Sequence, residues 1–489
     1  MQSPRSARSR RFSRYVAVAV VAALGPALGG CFIGTEQPEA ALDVPASYRA
    51  GPRNPDAALP SLVWWRGFRS SELTDLVEEA LTSNLDIAAA VGRILQADAQ
   101  SRITGAALLP LVDLDASATR SRPSQTTAGD GAGGGGGASE RTLYRASLSA
   151  SYEIDFWGKN RAALRAAEEL AAASRFDRET VQITTTVSVA NAYFQVLAAQ
   201  DRLRAARDNL AAATRVFNLI QERFNVGTAS ALDIAQQESV VNTQRAAIPP
   251  LEQALRDNTI TLAVLIGRAP AHVRVRGGSM DRLSIPPVTP GLPSDLIAQR
   301  PDIRNAEAQL ASANANVESA RAAMLPSIQL TGEGGFQSAA LRTLLRPESA
   351  FYNLVAGLTQ PVFDGLRLQG QLDLQRGRQD ELLQLYRRAV VNAFGDVERA
   401  LVDIRFTGER ERLQRQVVAS SRRAFEISET RLREGAVDLV TVLNTQQTLF
   451  QAQDALYQSR LARLQAVVSL FQALGGGWPH PRETIAVAR

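Results

Sequence analysis

Two stretches of this 489-residue chain match each other at a fixed distance. Asn84-Leu85-Asp86-Ile87, running down to Leu109-Pro110, corresponds to Arg300-Pro301-Asp302-Ile303, running down to Leu325-Pro326, at an offset of 216 residues. Further on, Arg223 to Gly227 corresponds to Arg431 to Gly435, and Gly267 to Gly475, at an offset of 208. A match that keeps one phase over tens of residues marks a duplicated structural unit. Any fold for this chain must therefore be built twice from the same parts.

Each copy starts with an amphipathic helix. In the first, Leu73, Leu76, Val77, Leu81 and Leu85 form an apolar stripe that continues through Ile87, Val91 and Leu95. In the second, the alanine-rich run Ala306 to Ala323 takes the same place. Both helices end at a Leu-Pro, because proline lacks the N–H donor and clashes with the preceding turn.

The apolar period then changes from 3.6 to 2. From Tyr144 to Phe156 every second residue is apolar, with Arg145, Ser147, Ser149, Ser151, Glu153 and Asp155 between them. Val112, Leu114, Ala116 and Ala118 alternate with Asp113, Asp115, Ser117 and Thr119, and Ile328, Leu330 and Phe336 alternate with polar neighbours. These patterns predict strands over about 111–120, 144–156 and 327–338, with a less regular fourth over about 351–363. Strands of about ten residues with one apolar and one polar face have the length and patterning needed to cross a bilayer at a tilt. The Gly131 to Gly137 run reads as a solvated hairpin loop, with no Lys-Ser/Thr after it to make a phosphate loop.

A very long helix follows each strand pair. Leu203, Ala206, Leu210, Ala213, Phe217, Ile220 and Phe224 keep alternating three- and four-residue spacing, as do Val390, Phe394, Val397, Leu401 and Ile404. A helix over about 160–222 would be roughly 95 Å long, so it must stack against other long helices. Each ends in a glycine turn, at Asn225–Ser230 and at Arg433–Asp438, before a helix returns to Gly267 or Gly475. The chain divides into residues 1–30, an extension over 31–70, repeat 1 over 71–268, a linker over 269–293, repeat 2 over 294–475 and a tail over 476–489.

The net charge of +5 resides in the first thirty residues, which hold five arginines and no acid. The remainder is near neutral, which removes charge as an argument for nucleic-acid binding. Those thirty residues combine an Arg-rich start, an apolar stretch from Tyr15 to Leu28, and Leu28-Gly29-Gly30-Cys31. This is the pattern of a secretion signal, and its end resembles the bacterial lipoprotein processing box, with Cys31 as the acylated (diacylglyceryl and palmitate) N-terminus. Cys31 is the only cysteine in the sequence, so no intrachain disulfide forms. The two histidines, His272 and His480, lie in Pro- or Gly-rich connections, and no zinc spacing, nucleophile elbow or nucleotide loop is present. Catalysis, a cofactor and a metal are not expected.

Read in this order, the chain resembles the TolC-type outer-membrane efflux proteins, in the lipoprotein branch that includes OprM- and NodT-like channels. The resemblance is carried by Trp64-Trp65 with Phe68 and Leu73, Tyr152 to Gly158, Leu292-Pro293-Ser294-Asp295 leading to Arg300 to Ile303, Gln360 to Gly365, the two glycine turns and Ala473 to Trp478. It implies a homotrimer with one 12-stranded outer-membrane β-barrel, four strands per protomer, continuous with a long α-helical barrel across the periplasm. Closure agrees with that number, since four strands alone leave edges and three times four do not.

The function implied is a passive exit duct of a tripartite efflux pump, passing small molecules outward. Its partners would be a periplasmic adaptor (membrane-fusion) protein and an inner-membrane pump of the resistance-nodulation-division type. The resemblance places adaptor docking at Val226, Gly227 and Thr228 and at Gly435, Ala436 and Val437. It places an iris-like gate among the tip charges, with Arg431, Asp438 and Asp233 as candidates. Two alternatives stand beside it: a polypeptide secretion duct of the same fold, and a lipid-anchored coiled-coil spacer, which would need no lipid-facing strands.

Overall fold

The computed structural model describes residues 41–42, 44–45, 47–49, 61–122, 140–287, 293–476 and 478. The expected signal segment, Cys31, the Gly131–Gly137 loop and His480 lie outside them, as does most of the expected extension and tail. Two compact units are present, and they do not coincide with the two repeats. One holds Pro110–Ala162 with Asn314–Gln375; the other holds Ala40–Leu109, Ala163–Ala313 and Arg376–Arg489. Each unit therefore draws on both copies.

The first unit contains the strands β1 (Leu111–Ser121), β2 (Arg141–Ile154), β3 (Ser327–Ser338) and β4 (Ala350–Thr359). They form one antiparallel sheet in the order β1-β2-β3-β4, so β1 and β4 are its edges. The register pairs Leu114 with Leu148, Leu148 with Gly334, and Gly334 with Tyr352. One face thereby collects Val112, Leu114, Leu148, Leu330, Tyr352, Leu354 and Leu358. This face is exposed: Leu114 is 78% accessible and Tyr352 83%, whereas Ser147, on the opposite face, is buried. The polar face carries cross-strand pairs, Arg145 with Glu333 and Ser149 Oγ with Asp115 Oδ2 at 3.5 Å. A sheet that exposes one face of hydrocarbon while its opposite, polar face is partly covered along β2 and β3 is inside out for a water-soluble fold.

The second unit is helical. Helices α1 (Ser71–Ser83), α2 (Leu85–Gly105), α4 (Ala231–Ala246), α5 (Ile248–Leu265), α6 (Pro293–Gln299) and α9 (Leu439–Ala473) belong to it, and the 67-residue helices α3 (Lys159–Asn225) and α8 (Arg367–Arg433) supply most of its length. Helix α7 (Pro301–Ala322) comes before β3. The largest core gathers Trp64, Phe68, Leu73, Phe194, Met280, Leu464 and Phe471, with Trp64 and Phe471 stacked at 4.9 Å. A second core centres on Ile303, Val390, Val397 and Leu470, and a third on Val216, Ile220, Phe425, Leu432, Leu439 and Val442. The heptad residues Leu203, Ala206, Ala213 and Ile220 are buried as the spacing requires, while Phe224, at the end of the seam, is exposed.

The duplication holds down to single hydrogen bonds. Asn84 Nδ2 donates to Leu265 O at 2.7 Å, and its counterpart Arg300 donates from Nη1 to Ala473 O, the counterpart of Leu265, at 3.1 Å. Gly267 and Gly475 sit against the backbone carbonyls of the equivalent residues Ser83 and Gln299. Arg300 also grips Asp302 and Asp396, so the Arg300–Ile303 segment is a structural clamp.

Four local expectations are corrected. The first helix is two, because Asn84 adopts an extended conformation and its Oδ1 accepts from Asp86 N and Ile87 N, starting α2 afresh. Arg300 makes the same break between α6 and α7, just before Pro301. The return helix of repeat 1 divides at Ala247, where Pro249 and Pro250 enter at the first positions of α5 and remove backbone donors. Strand β4 ends at Thr359, short of residue 363, since Thr359 faces Ser327, the first residue of β3. Gly158 (φ +79°) and Leu366 (φ +67°) are equivalent at the 208-residue offset, each just before its long helix, since α3 and α8 start at Lys159 and Arg367.

Candidate functional site: the two hairpin turns and the core behind them

Each long helix ends by the same mechanism. After α3, Gly227 N donates to Phe224 O at 2.9 Å and Thr228 N to Arg223 O at 2.8 Å; after α8, Gly435 N donates to Leu432 O at 3.0 Å and Ala436 N to Arg431 O at 2.8 Å. These paired bonds satisfy the last carbonyls and need a left-handed residue, which glycine supplies at φ +79° and +76°. The returning helices start on side-chain caps. Ser230 and Asp233 form a capping box for α4, and Asp438 Oδ1 accepts from Thr441 N at 2.9 Å and from Thr441 Oγ1 at 2.6 Å for α9. These bonds to the ionised form hold the Asp438 carboxyl below the usual aspartate range.

The structure places the expected tip residues as follows. Val226, Gly227, Thr228, Gly435 and Ala436 are exposed, and Val437 is half-buried against the Leu432–Leu439 core. Asp233 and Asp438 spend their carboxylates on their own helix starts. Arg431 is exposed and forms no ion pair among the described residues. Arg223, in contrast, donates from Nη1 to Leu432 O at 2.8 Å, fastening the first turn to the second. Arg433 and Arg215 both approach Glu429, at 3.7 and 4.0 Å.

Behind the turns, α4 and α9 border an open groove of about 690 Å3. Gln236, Gln244, Gln447 and Gln451 line it together with Val240 and Phe450. It offers hydrogen bonds and apolar contact but no charge. In the adjoining core, Gln446 is buried and both its amide atoms lack a partner.

Farther from the turns lies an ion cluster that sequence reasoning missed. Glu411, only 1% exposed, receives Arg460 Nη1 at 2.7 Å, Arg463 Nη1 at 2.9 Å and Arg415 Nη2 at 2.7 Å. Burial pushes the Glu411 carboxyl up, but the hydrogen bonds from Arg463, Arg415 and Arg460 outweigh it and hold it at about 2. The cluster fixes the linker between the repeats: Arg460 reaches Met280 O, while Asp201 Oδ2 accepts from Met280 N at 2.9 Å. The signal was present in the spacing, because Val390, Phe394, Val397, Leu401 and Ile404 extend through Gly408 to Glu411. An acid on an apolar seam requires buried partners. Among the described residues no His, Cys, Asp and Glu group with metal-binding geometry occurs, and no helix is long and apolar enough to cross a membrane.

The family model for outer membrane efflux proteins matches residues 76–268 and 292–476. The chain is 41% identical over 459 residues to the pyoverdine export outer membrane protein OpmQ of Pseudomonas aeruginosa, covering 94% of this chain and 96% of that one. It is 33% identical over 468 residues to the toluene efflux pump outer membrane protein TtgF of Pseudomonas putida, covering 93% and 96%. Among solved structures it resembles the outer-membrane channel OprN with a TM-score of 0.85 at 25% identity, covering 92% of this chain and all of that one. The family model thus matches twice along the chain, once in each half. This chain belongs to the outer membrane efflux protein family and is the outer-membrane channel component of an efflux system.

Proposed function

We propose that three copies close their sheets into one 12-stranded barrel and that the assembly is the passive exit duct of a tripartite efflux pump. The observation that carries this reading is the exposed apolar face of a sheet with two open edges. Lipid accepts such a face, but the hydrocarbon region tolerates no unpaired strand edge, so the edges must close on other copies. A second apolar stripe, Phe406, Leu413, Val417 and Ile427, runs exposed along α8 at heptad-like spacing and gives the helices a matching seam. Cys31 would anchor the N-terminus in the outer membrane by its lipid.

The duct does not choose its cargo on this reading. Two relatives of similar architecture are named for chemically unlike compounds, pyoverdine and toluene, so selection falls to the inner-membrane pump, which also supplies the energy. A periplasmic adaptor would dock at the turns around Val226–Thr228 and Gly435–Val437, with the uncharged glutamine groove beside them.

Arg431, Asp438 and Asp233 are the proposed gate charges. The test separates charge from capping at Asp438. In single-channel recordings from planar bilayers, Asp438→Ala removes both, and Asp438→Ser keeps a cap and removes the charge. Raised conductance in both variants, and in Arg431→Ala, supports an electrostatic gate. A rise confined to Asp438→Ala would reduce Asp438 to a helix cap. A chain that conducts in no variant and leaves efflux intact when deleted would overturn the duct itself.

A further inference from the structure

The duplication determines how one copy pairs with the next. We infer that β4 of one copy, continued through residues 360–362, pairs with β1 of its neighbour in a single register, with Val362 opposite Val112, Ala356 opposite Ala118 and Leu354 opposite Arg120 of the next copy. This inference rests on the proposed trimer and specifies its seam.

The template lies within the protomer. Strand β1 repeats as β3 at an offset of 216, and the observed ladders then make β2 repeat as β4 at 208: Ser151 faces Leu111, and Thr359 faces Ser327. The same 208 holds through the starts of α3 and α8. The junction between the two repeats is the β2–β3 ladder, in which Ile154 faces Ile328 and Leu148 faces Gly334. Adding 208 to the first partner and subtracting 216 from the second gives Val362 with Val112, and Ala356 with Ala118.

Two independent observations agree. First, the transferred register keeps the faces matched. Val112, Ala116 and Ala118 belong to the apolar face of β1, and Ala356 and Leu358 to that of β4; a slip of one residue would set apolar against polar. Second, it accounts for the most exposed apolar side chains of the protomer. Residues 152–154 of β2 extend past the start of β1 and are held by β3 alone. Their copies, residues 360–362, extend past the start of β3 with no strand beside them. Val362 is 97% exposed and Phe363 89%, whereas Ile154 is half-covered opposite Ile328. The start of β1 of the next copy, at Leu111 and Val112, would cover them.

Paired cysteines test the register in the full-length protein in outer membranes. Directly opposed residues lie within disulfide reach, and a shift of two residues moves the partners roughly 7 Å apart, beyond it. Within one copy, Ala118 and Ala356 are three strand spacings apart across the sheet, at least about 14 Å, and are further offset along the strands, so a bond between them must join two copies. Ala118→Cys with Ala356→Cys, and Val112→Cys with Val362→Cys, should give a covalent trimer on oxidation. Ala116→Cys with Ala356→Cys, and Ala118→Cys with Leu358→Cys, should lose it. Single variants control for Cys31. Preferential crosslinking of either shifted pair overturns the register while leaving the trimer intact. Absence of any trimer from the unmodified protein, by native mass measurement, overturns instead the assembly on which the register depends.

Discussion

Arg460 donates two hydrogen bonds to one carbonyl oxygen, Met280 O, from Nε at 3.0 Å and from Nη2 at 2.9 Å. A buried guanidinium on α9 thus grips the backbone of the linker between the repeats, and Glu411 on α8 compensates its charge. Removing the arginine leaves Glu411 with two more exposed partners, Arg415 and Arg463, and frees Met280 O. Arg460→Met should therefore destabilise the fold by about 3–5 kcal/mol, the range for breaking a buried pair. Denaturant unfolding checks this, and proteolysis should cut first within the linker, near Met280. Equal cutting elsewhere would show that the linker is held by other means.

The same cluster makes stability depend on pH. Glu411 is held at about 2, below its usual value of 4.5. A depressed folded-state value means that the contribution is complete above pH 4.5 and is lost as pH falls from there towards 2. The shift corresponds to about 3 kcal/mol. Glu411→Gln should flatten the stability profile over that window. An unchanged slope between pH 4.5 and 2.5 would assign acid sensitivity to other carboxylates.

Glycine substitutions should divide by position. A Cβ at Gly267 would lie 2.2 Å from Ser83 O, and one at Gly475 would lie 2.9 Å from Gln299 O. At Gly227 nothing lies within 4 Å. Gly227→Ala should cost about 1–2 kcal/mol from the left-handed backbone alone. Gly267→Ala should cost more, because backbone must also move, with Gly475→Ala between them. Thermal melts of the three variants give the order, and equal shifts would contradict the steric argument.

Gln446 should be replaceable with gain. Both its amide atoms are buried without partners, a cost of about 1–3 kcal/mol. Gln446→Leu should raise the melting temperature, and, if the tip must repack to conduct, lower the open probability of the channel. A lower melting temperature would mean that the amide is satisfied in the assembled protein.

These positions show which parts were legible in the sequence. The strands were, because thirteen alternating residues from Tyr144 admit one period only, and so were the glycine turns, because a heptad seam cannot continue through Gly227 or Gly435. The break at Asn84 was not, since its helical stripe runs straight across it; the hydrogen bond to Leu265 O, 181 residues away, joins the cap bonds from Asp86 N and Ile87 N in holding the turn there. Glu411 was hidden for the same reason. Its spacing marked it as interior, and Arg415 stands one turn further along α8, but the alignment of Arg460 and Arg463 across the α8–α9 hairpin is set by a register that apolar spacing does not give. At the candidate gate, the resemblance and the tip charges suggested Asp233 and Asp438; Asp438 also reads as a cap of the returning helix, whereas the capping box that engages the Asp233 carboxylate does not follow from spacing.

The paired carbonyls of Leu265 and Ala473 carry a further consequence. One accepts its hydrogen bond from a carboxamide and the other from a guanidinium, at equivalent points of the two halves. The acceptor and its place recur while the donor differs, and Arg300 engages Asp302 and Asp396 as well. At this point the two halves are alike in where the hydrogen bond falls and unlike in the residue that makes it, so their equivalence is plainer in the contact than in the letters.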